Sequence, residues 1–92
     1  MKIILSQELE IKGEKVKEIE LDLLSLTGDD CIRAQEELLT EGVTSMLWEF
    51  DKRYLAALAA RALKVPTEDI RALPIIDFTL ITMNISNFLM GA

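Results

Sequence analysis

Asp51-Lys-Arg-Tyr54-Leu-Ala-Ala-Leu-Ala-Ala-Arg61-Ala-Leu-Lys-Val-Pro66-Thr-Glu-Asp-Ile70-Arg-Ala-Leu73-Pro-Ile-Ile-Asp77-Phe78, running on to Phe88-Leu89, reads as a long apolar helix, a short helix between two prolines, and a second apolar segment. From Tyr54 to Leu63 the one charge is Arg61. A helix that is apolar on every side must be nearly surrounded by protein. Ala57, Ala59, Ala60 and Ala62 allow neighbouring helices to come close. Asp51 or an earlier Ser or Thr starts this helix, and Val65 ends it, because the residue before a proline avoids the helical region. Thr67 to Leu73 forms the short helix, with Thr67 as its cap and Glu68 and Asp69 in its first turn.

Residues 75–90 fit two patterns. Ile76-Asp-Phe78-Thr-Leu80 alternates like a strand, and so does Ile81-Thr-Met83-Asn-Ile85, but the phase slips between them. As a helix the segment carries two opposed apolar stripes. One holds Phe78, Ile81, Ile85, Phe88 and Leu89; the other holds Ile76, Leu80, Met83 and Met90. Its length favours the helix. The first stripe is expected in the core with Tyr54 and Leu58. The second exceeds what one small domain can bury, and is expected to meet a partner or a second copy; the alternative is that the hairpin covers one stripe and the helices the other. Asp77, three residues after Pro74, is expected as a first-turn carboxylate.

Working outward, residues 1–24 have the pattern of a β-hairpin. Ile3, Leu5, Leu9 and Ile11 alternate with polar residues; Lys12-Gly13-Glu14 supplies the turn; Ile19, Leu21 and Leu23 share a face on the return. Val16 is out of phase, which places a bulge or longer loop near Lys15–Glu18. Thr27-Gly-Asp-Asp30 starts a helix whose inner face is expected to be Cys31, Ile32, Gln35, Leu38 and Leu39, and Gly42 stops it. Residues 43–50 are either a loop or a lead into the next helix. The expected fold is α+β: an N-terminal hairpin (1–24) packed on a bundle of three to four helices (27–90), as one domain over 1–92.

Composition excludes several functions. Half of the 92 residues are apolar and the net charge is −6. The charge is uneven, with −8 over residues 1–51 and +2 over 52–92 (five Lys/Arg against thirteen Asp/Glu, then five against three). That balance argues against binding a phosphate backbone, so no nucleic-acid partner is expected. There is no histidine, which removes the usual triads and the common zinc ligand sets. Neither phosphate-binding glycine motif is present. Cys31 is the one cysteine, and is read as a small apolar helix residue. No enzyme, metal or cofactor is expected. Asp77, Asn84 and Asn87 interrupt the most apolar window, so no membrane span is expected.

The order of these pieces resembles a family. Ile11-Lys-Gly13, Thr27-Gly-Asp-Asp30, Asp51 to Arg61 with Tyr54 between, Pro66 to Leu73, Asp77-Phe78 and Phe88-Leu89 follow one another as in the E-like phage tail assembly chaperones. The resemblance covers nearly the whole chain, and its specificity lies in the ordered set. It implies a phage morphogenesis protein that acts in the cytoplasm of the bacterial host. Such a protein binds the long apolar tape measure protein and keeps it soluble before the tail tube polymerises. The major tail protein is a further expected partner, and the second stripe of residues 75–90 leaves a second copy of the chain as another. The alternative function is a small structural or adaptor subunit retained in an assembly. The family often has a Gly before the helix-joining proline, where this chain has Lys64-Val65. The segment holding Met46, Leu47, Trp48 and Phe50 is also unusually apolar; Leu47 and Trp48 join Ile76, Leu80, Met83 and Met90 as expected partner-binding residues.

Overall fold

A computed structural model describes residues 1–91. Two antiparallel strands, β1 (Lys2–Ile11) and β2 (Glu14–Glu20), precede four helices: α1 (Gly28–Thr40), α2 (Lys52–Leu63), α3 (Thr67–Arg71) and α4 (Ile75–Leu89). The architecture is the expected α+β arrangement of a hairpin on a helical bundle, and the bundle has four helices.

The hairpin turns on Lys12 and Gly13, both at positive φ (58° and 76°) with Ile11 paired to Glu14. A two-residue turn of that hand matches the twist of the strands it joins. Ile3, Leu5, Ile11 and Ile19 face inward and are buried. The return strand stops at Glu20, short of the expected 24, and a single 3-10 turn follows at Leu23–Ser25. Leu21 still exchanges backbone bonds with Met1 at 2.7 and 2.9 Å, so the base of the hairpin is closed there. The irregularity expected near Lys15–Glu18 lies instead mainly on β1. Ile4 pairs with Glu18 and Leu9 with Val16, so four residues of β1 face Lys17 alone. Val16 is out of phase because its partner strand carries the extra residues.

Helix α1 opens with the Thr27 amide donating to the Asp30 carboxylate at 2.8 Å, which satisfies a donor at the helix start. It closes at Gly42, at φ +83°, where the Val43 amide returns to the Leu38 carbonyl. Its inner face is rotated from the expected one. Ala34 and Leu38 are buried and Cys31 and Gln35 half-buried, while Ile32 and Leu39 face out. A stripe at spacings of three and four through Cys31, Ala34 and Leu38 leaves Ile32 on the flank.

Helix α2 is the centre of the bundle and packs against the other three helices. Every residue from Tyr54 to Ala60 is buried, as an apolar helix with alanines on several sides requires. Asp51 caps it, accepting from the Arg53 amide at 2.9 Å. The helix stops at Leu63, two residues before the expected Val65. Lys64 takes the left-handed conformation (φ 60°) and the Val65 amide bonds back to Ala60, so the lysine stands where a glycine is usual. The cap of α3 is Pro66, not Thr67, which is already helical; the Thr67 hydroxyl reaches Glu37 at 3.3 Å.

Residues 75–89 form one helix, and the strand pattern in them is incidental. Ile81 and Ile85 are fully buried beneath α2 and Phe78 is half-buried. Phe88, expected in the core, stands at the rim at 37% exposure, on a hollow that it shares with Leu23, Leu26 and Leu58. Asp77 is in the first turn as expected, but it is wholly buried. It accepts the Ser6 amide at 2.6 Å and the Ser6 hydroxyl at 2.7 Å, joining α4 to the irregular part of β1.

Candidate partner-binding surface

The side of α4 that faces away from α2 is apolar and uncovered. Ile76, Leu80, Met83 and Met90 recur at spacings of four, three and seven, which puts them in one line. Ile76 is 68%, Met90 59% and Met83 55% exposed, and Leu80, at 37%, is the most covered of the four. At about 1.5 Å per residue the line is about 21 Å long. Only Asn87 interrupts it, also exposed. The helix can be apolar on both sides because Pro74 starts it cleanly and its two buried polar groups are satisfied. Asp77 binds Ser6, and the Thr82 hydroxyl bonds the Phe78 carbonyl at 3.0 Å.

The 43–50 segment is a loop ending in one 3-10 turn, Trp48–Phe50, which lies against α4. The Ser86 hydroxyl donates to the Glu49 carbonyl at 3.1 Å and fixes this turn beside the line. Phe50 and Met83 flank the same shallow hollow with Leu55 and Thr82. Leu47, Met46 and Phe50 are exposed. Trp48 behaves differently: it is half-buried, with its ring 5.8 Å from that of Tyr54 and tilted by 60°. That edge-on geometry is a core contact, so Trp48 supports the turn from beneath while Leu47 and Phe50 face outward. The Tyr54 phenol is pushed well above its usual range, first by burial.

Two features of this surface were not read from the sequence. Ile75, the first residue of α4, is 79% exposed. It lines a groove of about 300 Å³ with Leu73, Phe78, Lys52, Arg53 and Arg71, between the start of α2, the end of α3 and the start of α4. Nothing in the spacing of these residues announces the groove, because three helix ends assemble it. A second hollow, of about 210 Å³, lies between α1 and the end of α4, walled by Cys31, Leu23, Leu26, Leu58, Ile85 and Phe88.

Two of the cations near the surface, Arg53 and Arg61, are tied down. Arg53 holds the Asp51 carboxylate through two bonds of 3.0 and 2.8 Å, and this pairing brings the Asp51 pKa down to about 2. Arg61 binds Asp30 at 2.9 and 2.8 Å, joining α2 to the first turn of α1. Asp30 is held below the usual carboxylate range, first by the Thr27 amide and then by Arg61. Among the described residues no group of three or more Cys, Asp or Glu side chains is placed to hold a metal ion. No helix of the described residues is long and apolar enough to cross a membrane. The surface thus offers apolar contact area with two held cations, Arg53 and Arg61, near it. Against family models, curated proteins and solved structures, the chain gives no significant match.

Proposed function

We propose that this chain is a tail assembly chaperone of a tailed phage or prophage. It acts in the host cytoplasm, holding the apolar tape measure protein in solution before the tail tube polymerises. The observation that carries the reading is the uncovered side of α4, with Ile76, Leu80, Met83 and Met90 in line and Leu47 and Phe50 beside it. Monomeric domains seldom leave an apolar strip of that length facing water unless it serves an interaction. Two methionines suit it to accept varied apolar side chains, since the unbranched thioether adapts its shape to each. The acidic balance of the chain supports the same role, because net charge keeps an apolar-rich carrier soluble. The ordered resemblance from Ile11 to Leu89 supplies the identity of the partner, with the major tail protein and a second copy as further contacts.

Co-expression with the tape measure protein encoded beside this gene tests the reading. The wild-type chain should keep that protein in the soluble fraction, and the double variant L80D/M83D should lose this effect while keeping its helical circular dichroism. A tape measure protein that precipitates equally with and without the wild-type chain would overturn the proposal. Recovery of the chain in stoichiometric amounts from finished particles would favour a retained structural subunit instead.

A further inference from the structure

The groove at the start of α4 has a chemistry unlike the rest of the molecule. Its floor is apolar, made by Leu73, Ile75 and Phe78, and its rim is three cations, Lys52, Arg53 and Arg71. Residues 52–92 hold five Lys/Arg in all, so three of the five meet here, on a chain whose net charge is −6. Arg61 is committed to Asp30 and Arg53 to Asp51. Lys52 and Arg71 pair with no carboxylate among the described residues, and both are exposed. Asp51 holds Arg53 in place, so part of the rim is fixed before anything binds.

We propose that this groove docks an acidic amphipathic segment of a partner protein, the floor taking an apolar anchor side chain and Lys52 and Arg71 taking the carboxylates that flank it. The proposal rests on the reading of the chain as a binding protein and adds the charge of the segment bound. A volume of about 300 Å³ accommodates one or two large side chains, and anchors of that kind contribute most of the binding free energy at protein interfaces. Two uncommitted cations beside an apolar floor select for a segment with opposite charge at its edge and against a basic one. An exposed floor of Leu, Ile and Phe has no use for a bare phosphate backbone. Ile75 points about 100° around the helix from Ile76, so the groove opens on a face of α4 next to the apolar line and distinct from it.

The test uses the full chain and two labelled synthetic peptides. Each has leucines on one helical face; one has glutamates on the other face, and its twin has lysines at the same positions. Fluorescence anisotropy should show binding of the glutamate peptide and little of the lysine peptide. Affinity for the glutamate peptide should fall roughly tenfold or more in R71E and in K52E, and should weaken as salt is raised. Both residues are exposed, so the variants should keep the wild-type circular dichroism and melting curve. Equal binding of the two peptides, or unchanged affinity in both variants, would overturn the groove. The outcome separates from that of the proposed function. If K52E/R71E still keeps the tape measure protein soluble while the glutamate peptide fails to bind wild type, the groove proposal falls alone. If the peptide binds through Arg71 but the tape measure protein is never held in solution, the chaperone reading falls alone.

Discussion

Asp77 and Ser6 lie 71 residues apart and are joined by two hydrogen bonds, from the Ser6 amide at 2.6 Å and its hydroxyl at 2.7 Å. The pair couples the hairpin to the last helix. Ser6 can turn its amide to α4 because it sits in the unpaired stretch of β1 between Ile4 and Leu9. The carboxylate also lies at the positive end of α4, where a negative charge is favoured.

Asp77→Ala removes both bonds and leaves a backbone amide without its partner. It should cost about 2–4 kcal/mol, whereas Ser6→Ala, which keeps the amide bond, should cost about 1–2 kcal/mol. Urea unfolding of the two variants gives the comparison. Equal costs would show that the amide bond contributes nothing.

Neighbouring residues on α4 should respond oppositely to the same substitution. Ile81→Asp places an unpaired carboxylate in the core and should unfold the domain. Leu80→Asp, one position earlier and 37% exposed, should lower stability far less, by about 1–2 kcal/mol. Thermal melts followed at 222 nm (a standard helical wavelength) separate the two, and similar losses would mean that the helix is rotated from the position described.

Phe88 and Ile85 test the rim in the same way. Ile85→Ala should cost about 2–5 kcal/mol, as truncations of fully buried side chains do, and Phe88→Ala distinctly less, about 1–2 kcal/mol. A larger loss for Phe88 would return it to the core. The hollow beside it, between α1 and α4, would then be closed in solution.

The helical part of the fold was legible in the sequence because its signals are local. Asp51, Pro66, Pro74 and Gly42 mark helix ends through their own backbone chemistry, and the all-apolar run from Tyr54 to Ala60 can only be surrounded. What was not legible depends on contacts between distant segments. The face of α1 was misjudged because Ala34 packs fully yet carries little apolar signal, while Ile32 and Leu39 carry much and stay outside. The partner of Asp77 lies across the molecule in a strand irregularity, and no local pattern reveals it. Along α4 the expected outer line does face water, whereas Trp48 is committed to Tyr54. The cationic groove is assembled from three helix ends and has no periodicity to find.

Lys64 should be replaceable with profit. At φ 60° a lysine carries the penalty of the left-handed region, and glycine does not. Lys64→Gly should therefore stabilise the domain by about 0.5 kcal/mol, the relief being partly offset by the greater freedom of glycine in the unfolded chain. A lower melting temperature would mean that the lysine side chain makes a contribution that its conformation does not reveal.

The Asp51–Arg53 pair sets a pH dependence. With the Asp51 pKa at about 2 in the folded protein and an ordinary value near 3.9 when unfolded, the carboxylate favours folding while it is charged. Its contribution is full above about pH 4 and is lost as the pH falls towards 2, and with Arg53 half exposed it amounts to about 1–2 kcal/mol. Asp51→Asn should lower stability at neutral pH and lose less than wild type on acidification between these limits. Parallel acid titrations of the two proteins would sink this assignment.

A sheet of two strands is nearly all edge, and β2 has no strand on its outer side. Open edges invite pairing with other chains. The exposed side chains of β2 are Glu14, Lys15, Lys17, Glu18 and Glu20, charged without exception. They act as gatekeepers, since a second strand laid along this edge would have to desolvate charges of both signs. The same molecule therefore leaves a helix open to apolar contact while guarding the β2 edge with charge, so crowding of its own copies need not end in a β-rich precipitate.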